Sequence, residues 1–240
     1  MLSGTASLDE LAARAPNMPA LDVDAVAFED VEVMQAAYEM DYSTREVCLP
    51  PGLHPTTPPL MVVLAWKVPD GPFGAFTMAQ VRVSCRSGVR PRGFVAGCLV
   101  STERAAAELR SRWGFPARPG PVRLDRFYDA VVLDAGPGLH ISGLDPDPMG
   151  AGDVQYTVTT TLADTPRGLR LVQVEPDYEL RRVERIRPRL DHFDASAWDA
   201  PALAPRHPVS ATIGVGTLSV PKLRFVSRPD IMAFEGTETV

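Results

Sequence analysis

Between Leu60 and Val100 the chain carries three strand patterns in succession, and that run limits it to folds built on an antiparallel sheet. Leu60 to Val68 (LMVVLAWKV) is an apolar run of the kind buried on both faces, and Phe76 to Ser84 (FTMAQVRVS) alternates. Gly93 to Val100 (GFVAGCLV) is apolar again. Asp70-Gly71-Pro72 and Ser87-Gly88 supply turns between them. Further strand patterns occur at Ala25 to Met34, Val122 to Tyr128, Ala130 to Ala135, Val154 to Leu162, Leu169 to Glu175, Val209 to Val220 and Leu223 to Val226. One segment reads clearly as a helix, Ser101 to Trp113. Ser101 or Thr102 would cap it, Ala106, Leu109 and Trp113 share one face, and Gly114 and Pro116 end it. Many strands with one clear helix predict a β-dominated α+β fold, an antiparallel barrel or sandwich with one or two short helices.

The 240 residues, 45% hydrophobic and 22% charged, can bury a full core. Residues 1–20 are Ala-rich and are broken by Pro16 and Pro19, so they read as a loosely attached arm; residues 21–240 read as one domain. The apolar runs are too short to span a bilayer as helices, and the N-terminal residues lack a basic stretch followed by an apolar one. A cytoplasmic protein is expected. A net charge of −6 argues against general affinity for nucleic acid or anionic membranes. Cys48, Cys85 and Cys98 have no metal-knuckle spacing and read as reduced core residues.

Standard catalytic signatures are absent: there is no G-x-S-x-G, H-E-x-x-H or P-loop. Asp191-His192 with Asp194 is the nearest approach to a metal cluster, but a local trio of this kind fits a solvated loop, and neither a metal nor a cofactor is predicted. Asp145-Pro146-Asp147-Pro148 reads as an exposed turn. Arg181 to Arg189 carries five arginines, and Arg185, Arg187 and Arg189 repeat at period two. That spacing fits a charged edge strand, a subunit contact, or an anion site for a carboxylate or CoA phosphate. Only two of the 24 basic residues are lysine, Lys67 and Lys222, so amine chemistry has two side-chain candidates.

Trp113-Gly114-Phe115-Pro116-Ala117-Arg118, closing a helix after an apolar strand, resembles the Gly-Arg-Glu-x-Trp-Gly-[Tyr/Phe]-Pro-Lys-Lys segment of the acetoacetate decarboxylase family. Arg110 keeps that motif's arginine, while Leu109 and Ser111 replace its Gly and Glu. Upstream, Leu49-Pro50-Pro51-Gly52-Leu53 is similar to the family's Leu-Pro-x-x-Leu, and Gly71-Pro72-Phe73-Gly74 to its Gly-Pro-Tyr element. The likeness extends over about Tyr38 to Asp125. It implies a small-molecule enzyme that assembles as a homo-oligomer.

In that family the first lysine after Pro forms a Schiff base with a β-keto acid. Here Ala117 stands at that position and Arg118 at the second lysine. A methyl group cannot form an imine, and a guanidinium stays protonated. The family's acidic residue would fall near Met78 to Gln80, where no carboxylate occurs. The resemblance therefore implies an interior formed by Phe76, Met78, Gln80, Trp113 and Arg118, with Arg110, Phe115 and Ala117 also at the substrate. Arg118 and Gln80 are the catalytic candidates, acting by electrostatics rather than covalent chemistry. The expected function is a lyase, isomerase or cyclase acting on a hydrophobic carbonyl compound, suited to secondary metabolism. The alternatives are a binding protein that uses the same cavity, or a structural subunit whose cavity is filled by Met78 and Trp113.

Overall fold

Alternation along an extended chain sends successive side chains to opposite faces, so a strand that is apolar at every position must be covered on both. A computed structural model describes residues 2–240 and has this arrangement. In chain order the elements are α1 (Leu8–Arg14), β1 (Val26–Met40), β2 (His54–Pro55), β3 (Leu60–Val68), β4 (Phe76–Ser87), β5 (Arg90–Val100), α2 (Glu103–Trp113), β6 (Ala117–Pro119), β7 (Arg123–Arg126), β8 (Ala130–Asp134) and β9 (Leu139–Met149). There follow β10 (Thr159–Thr165), β11 (Gly168–Val174), β12 (Asp177–Phe193), β13 (Pro205–Val220), β14 (Phe225–Ser227), α3 (Ala233–Gly236) and β15 (Thr237–Thr239).

Among the described residues fifteen strands join in one sheet, ordered β15-β14-β11-β10-β5-β4-β3-β1-β13-β12-β9-β8-β7, with β2 added to β4 and β6 to β5. The β5 contacts with β6 and β10 are parallel, and the remaining pairings are antiparallel. The sheet folds over on itself and encloses two cores. Met34, Met61, Val63, Ala79, Val81 and Ile213 belong to one. Val33, Leu64, Trp66, Met78, Cys98 and Trp113 belong to the other. Val33 and Met34, adjacent on β1, go to opposite cores, as the pleat requires. The β-dominated fold with short helices expected from the sequence is the one observed. No helix among the described residues is long and apolar enough to cross a membrane.

Three features differ from the sequence expectation. Residues 2–20 are tied down rather than loose. Gly4 and Ala6 donate to the carbonyls of Leu53 and Leu49 at 2.8 and 2.9 Å, Met18 donates to that of Asp164 at 2.8 Å, and Leu11 and Met18 are buried. A side chain at position 4 would strike the Leu49 carbonyl at 2.1 Å, so only glycine permits this docking. Second, the arginine-rich segment is not at an edge, because β12 lies between β13 and β9; the edges are β15 and β7. Third, Asp145 and Asp147 sit within β9 rather than in a turn. The second and third differences have one cause. Arg185 pairs with Asp147 at 2.9 Å, and Arg187 pairs with Asp145. These pairs are more than half exposed, so each stabilises by only about 0.2–1 kcal/mol and serves mainly to set register.

Candidate active site at the β5 seam

Helix α2 aims the site. Thr102 caps its first turn by accepting from Ala105 N at 3.3 Å, and Ala106, Leu109 and Trp113 bury one face. Gly114 then takes a left-handed conformation (φ 63°), where a Cβ would meet that of Ala163 at 2.6 Å. This sharp stop turns the chain so that β6 starts at Ala117, in parallel register with Cys98 of β5.

From Ala117 a row of facing residues crosses the sheet: Cys98 pairs with Gln80, Gln80 with Leu64, and Leu64 with Gln35. Ala117, Cys98 and Gln80 are fully enclosed. On β4, Phe76, Met78, Gln80 and Arg82 share one face by parity, and all four are buried. Arg82 is a functional candidate that the sequence reading passed over. Its signal was present in the alternation of FTMAQVRVS, which places it beside Gln80. Its Nε and Nη2 donate to Gln80 Oε1 at 2.8 and 2.6 Å, and Nη1 donates to the Thr157 carbonyl at 2.7 Å. Burial pushes this guanidinium down to about 10, so it is still cationic at neutral pH. Burial pushes the Cys98 thiol up to about 12, against the Gln80 hydrogen bond and the nearby arginines, and it stays a neutral thiol.

Trp113 closes this interior from the helix side, with ring centroids 5.9 Å from Phe73, 5.9 Å from Phe115 and 6.5 Å from Phe28. Phe76 stands against Phe28 at 5.9 Å. The residues expected to surround the substrate, Phe76, Met78, Gln80, Trp113, Phe115 and Ala117, therefore do converge. Arg118 does not join them. One residue beyond Ala117 on a strand, it points to the other side, where Nη2 donates to the Ala197 carbonyl at 2.7 Å and Nη1 lies 3.2 Å from Asp199 Oδ2. Arg110, in the last turn of α2, donates to the Ala117 carbonyl at 2.6 Å.

Arg110 and Arg118 instead border an opening. β5 has a neighbour on this side at Gly93–Phe94, from β10, and at Cys98–Val100, from β6; Val95–Gly97 lie between the two. The gap is a pocket of about 390 Å³ bordered by Phe94, Gly97, Arg110, Ala117, Arg118 and Thr161. Its cations outnumber its one carboxylate, Asp199, so it favours an anionic guest. Lys67 pairs with Glu32 at 3.6 Å and Lys222 with Asp22 at 3.0 Å, both with exposed ammonium groups. Among the described residues no three His, Cys, Asp or Glu side chains converge to hold a metal.

The fold and this seam match a known class. The acetoacetate decarboxylase family model matches residues 13–144, more than half of the chain. The chain belongs to the acetoacetate decarboxylase family. Among solved structures, the acetoacetate decarboxylase of Legionella pneumophila shares 20% identity at a TM-score of 0.71, covering 93% of this chain and 96% of that one. The enduracididine biosynthesis enzyme MppR, complexed with the condensation product of pyruvate and imidazole 4-carboxaldehyde, shares 18% identity at a TM-score of 0.64, covering 83% and 87%. An acetoacetate decarboxylase-like enzyme of Sphingomonas wittichii shares 16% identity at a TM-score of 0.65, covering 92% and 98%. At these identities the likeness is one of fold. No curated protein sequence matches this chain.

Proposed function

We propose that this chain is an enzyme of the acetoacetate decarboxylase type that acts on a hydrophobic, carbonyl-bearing small molecule without a Schiff base, as a lyase, isomerase or cyclase. The observation that carries the reading is that Ala117 stands where the family motif has its imine-forming lysine, while both lysines of the chain sit in surface ion pairs. With no amine in the interior, charge on an enolate or carboxylate has to be stabilised by fixed donors: the Gln80 amide inside, and Arg110 and Arg118 at the opening. MppR, whose name places it in enduracididine biosynthesis, supports a role in secondary metabolism.

The test is intact-protein mass spectrometry after incubation with short β-keto acids and borohydride, run beside an assay for loss of the keto acid. The mass should stay unmodified while the keto acid is consumed; an adduct on Lys67 or Lys222 would restore imine chemistry and overturn the reading. Arg118→Ala should lower kcat/KM by about tenfold, the loss of one charged contact at the mouth. An unchanged value removes Arg118 from the mechanism. A non-catalytic binding protein is the second reading, favoured by the close packing of Trp113, Phe115 and Phe73 behind the seam. It predicts saturable uptake of a ligand that is returned unchanged.

A further inference from the structure

The interior has more hydrogen-bond donors than acceptors. A guanidinium offers five N–H donors, and Arg82 uses three, on Gln80 Oε1 and the Thr157 carbonyl. Two are left, and among the described residues no carboxylate pairs with this fully buried cation. Its surroundings add to the surplus. Trp66 Nε1, the Tyr178 hydroxyl and Thr159 Oγ1 are buried without a partner. Gln80 places one amide N–H on Met78 Sδ at 3.4 Å, a weak acceptor. The Tyr178 phenol lies close to both Arg82 and Trp66. Thr159 stands opposite Gly93, where a Cβ would lie 3.1 Å from Arg82 Cδ.

Native interiors seldom leave buried polar groups unpaired, and a buried charge without a counter-charge is costlier still. A cluster of unmatched donors around one cation is relieved by an anion with several lone pairs. We propose that Arg82, with Trp66, Tyr178 and Thr159, forms an internal receptor for a small organic carboxylate. A planar carboxylate accepts two parallel N–H bonds from a guanidinium and has lone pairs left for the indole and the hydroxyls. The flanking Met78, Val95 and Cys98 side chains suit an apolar body behind it. The assignment rests on the reading above, in which the seam at Ala117 leads to this interior, and it gives that site a substrate class: hydrophobic carboxylic acids.

A cover is present as well. Residues 154–158 cross the receptor and are held by Gln35, whose Oε1 accepts from Thr157 N at 3.0 Å and from Thr157 Oγ1 at 3.2 Å, while its Nε2 donates to the Gln155 carbonyl at 3.1 Å. Arg82 grips the same Thr157 from below.

The experiment follows thermal melting and tryptophan fluorescence of the full chain and of Arg82→Met, with acetate, butyrate and pyruvate as probes and with chloride and phosphate at matched ionic strength. Carboxylates should raise the native melting temperature and change the fluorescence saturably, and Arg82→Met should lose affinity by at least about tenfold. Without anions Arg82→Met should melt no lower than the native chain, because methionine fills similar space without a desolvated charge. A native chain blind to every carboxylate, or an Arg82→Met that melts far below it and still binds, would make Arg82 a structural strut and overturn the proposal. Equal responses to chloride and phosphate would overturn the carboxylate class. If Arg82→Met fails to fold, Arg82→Lys tests the same point, since it keeps the charge, loses the planar fork and should bind more weakly. Carboxylate binding without turnover would keep the receptor and overturn the catalytic reading; undiminished turnover in Arg82→Met would do the reverse.

Discussion

Trp113→Ala is expected to lower folding stability by about 3–5 kcal/mol, the cost of emptying a fully buried indole site, and to lower Tm by about 10 °C in a chain of this size. Trp113 has no exposed surface and contacts Phe28, Phe73 and Phe115, which come from three separate stretches of the chain. Its neighbours cannot collapse into the space, because β1 and the β3–β4 turn are held by the sheet on either side. Urea unfolding measures the effect, with Glu108→Ala as a partner variant on the exposed face. Glu108 makes a surface pair with Arg112 at 2.8 Å, and its loss should cost no more than about 1 kcal/mol. A Trp113→Ala loss below 1.5 kcal/mol, accompanied by weaker ligand binding, would mean that the indole lines a cavity instead of filling a core.

Ala117→Lys is expected to convert a chain that forms no borohydride-stable adduct with β-keto acids into one that does. Position 117 begins β6 in the row with Cys98 and Gln80 and borders the seam opening, so a lysine here has one direction in which its stem can extend. Burial and the nearby Arg82 charge both disfavour an ammonium and so raise the fraction of nucleophilic amine at neutral pH. Acetoacetate decarboxylase itself is the type case of an amine activated in this way. The larger side chain in an enclosed position should cost about 1–3 kcal/mol of stability. Peptide mapping after reduction locates the adduct. A folded Ala117→Lys protein with no adduct would show that position 117 does not meet a substrate carbonyl, and the amine-free reading would lose its anchor.

How much of this was legible in the sequence follows from which interactions are local. Leu60–Val68 and the helix ending at Trp113 were readable because an apolar run bounded by turns, and a capped amphipathic stretch stopped by Gly114, carry their own signals. The convergence of Phe76, Met78 and Gln80 followed from parity along β4, and that parity already contained Arg82. The Ala117 departure was likewise visible in the motif. The position of Arg118 was harder to read. Grouping it with Ala117 by motif ignored the same alternation, which sends it to Ala197 and Asp199. The docking of residues 2–20 left no periodic trace, because backbone bonds to Leu49, Leu53 and Asp164 hold it.

The sequence by itself determined the strands, their inward faces and the absence of an interior-ready amine, because pleating and side-chain chemistry are properties of neighbouring residues. Only the tertiary structure decided which strands meet. Arg185 and Asp147, 38 positions apart, looked like an exposed edge and an exposed turn until β12 and β9 were paired. The gap beside Val95–Gly97 exists only because β10 and β6 approach β5 at different heights. Such choices are set by long-range burial and charge matching across the sheet, and no local pattern contains them.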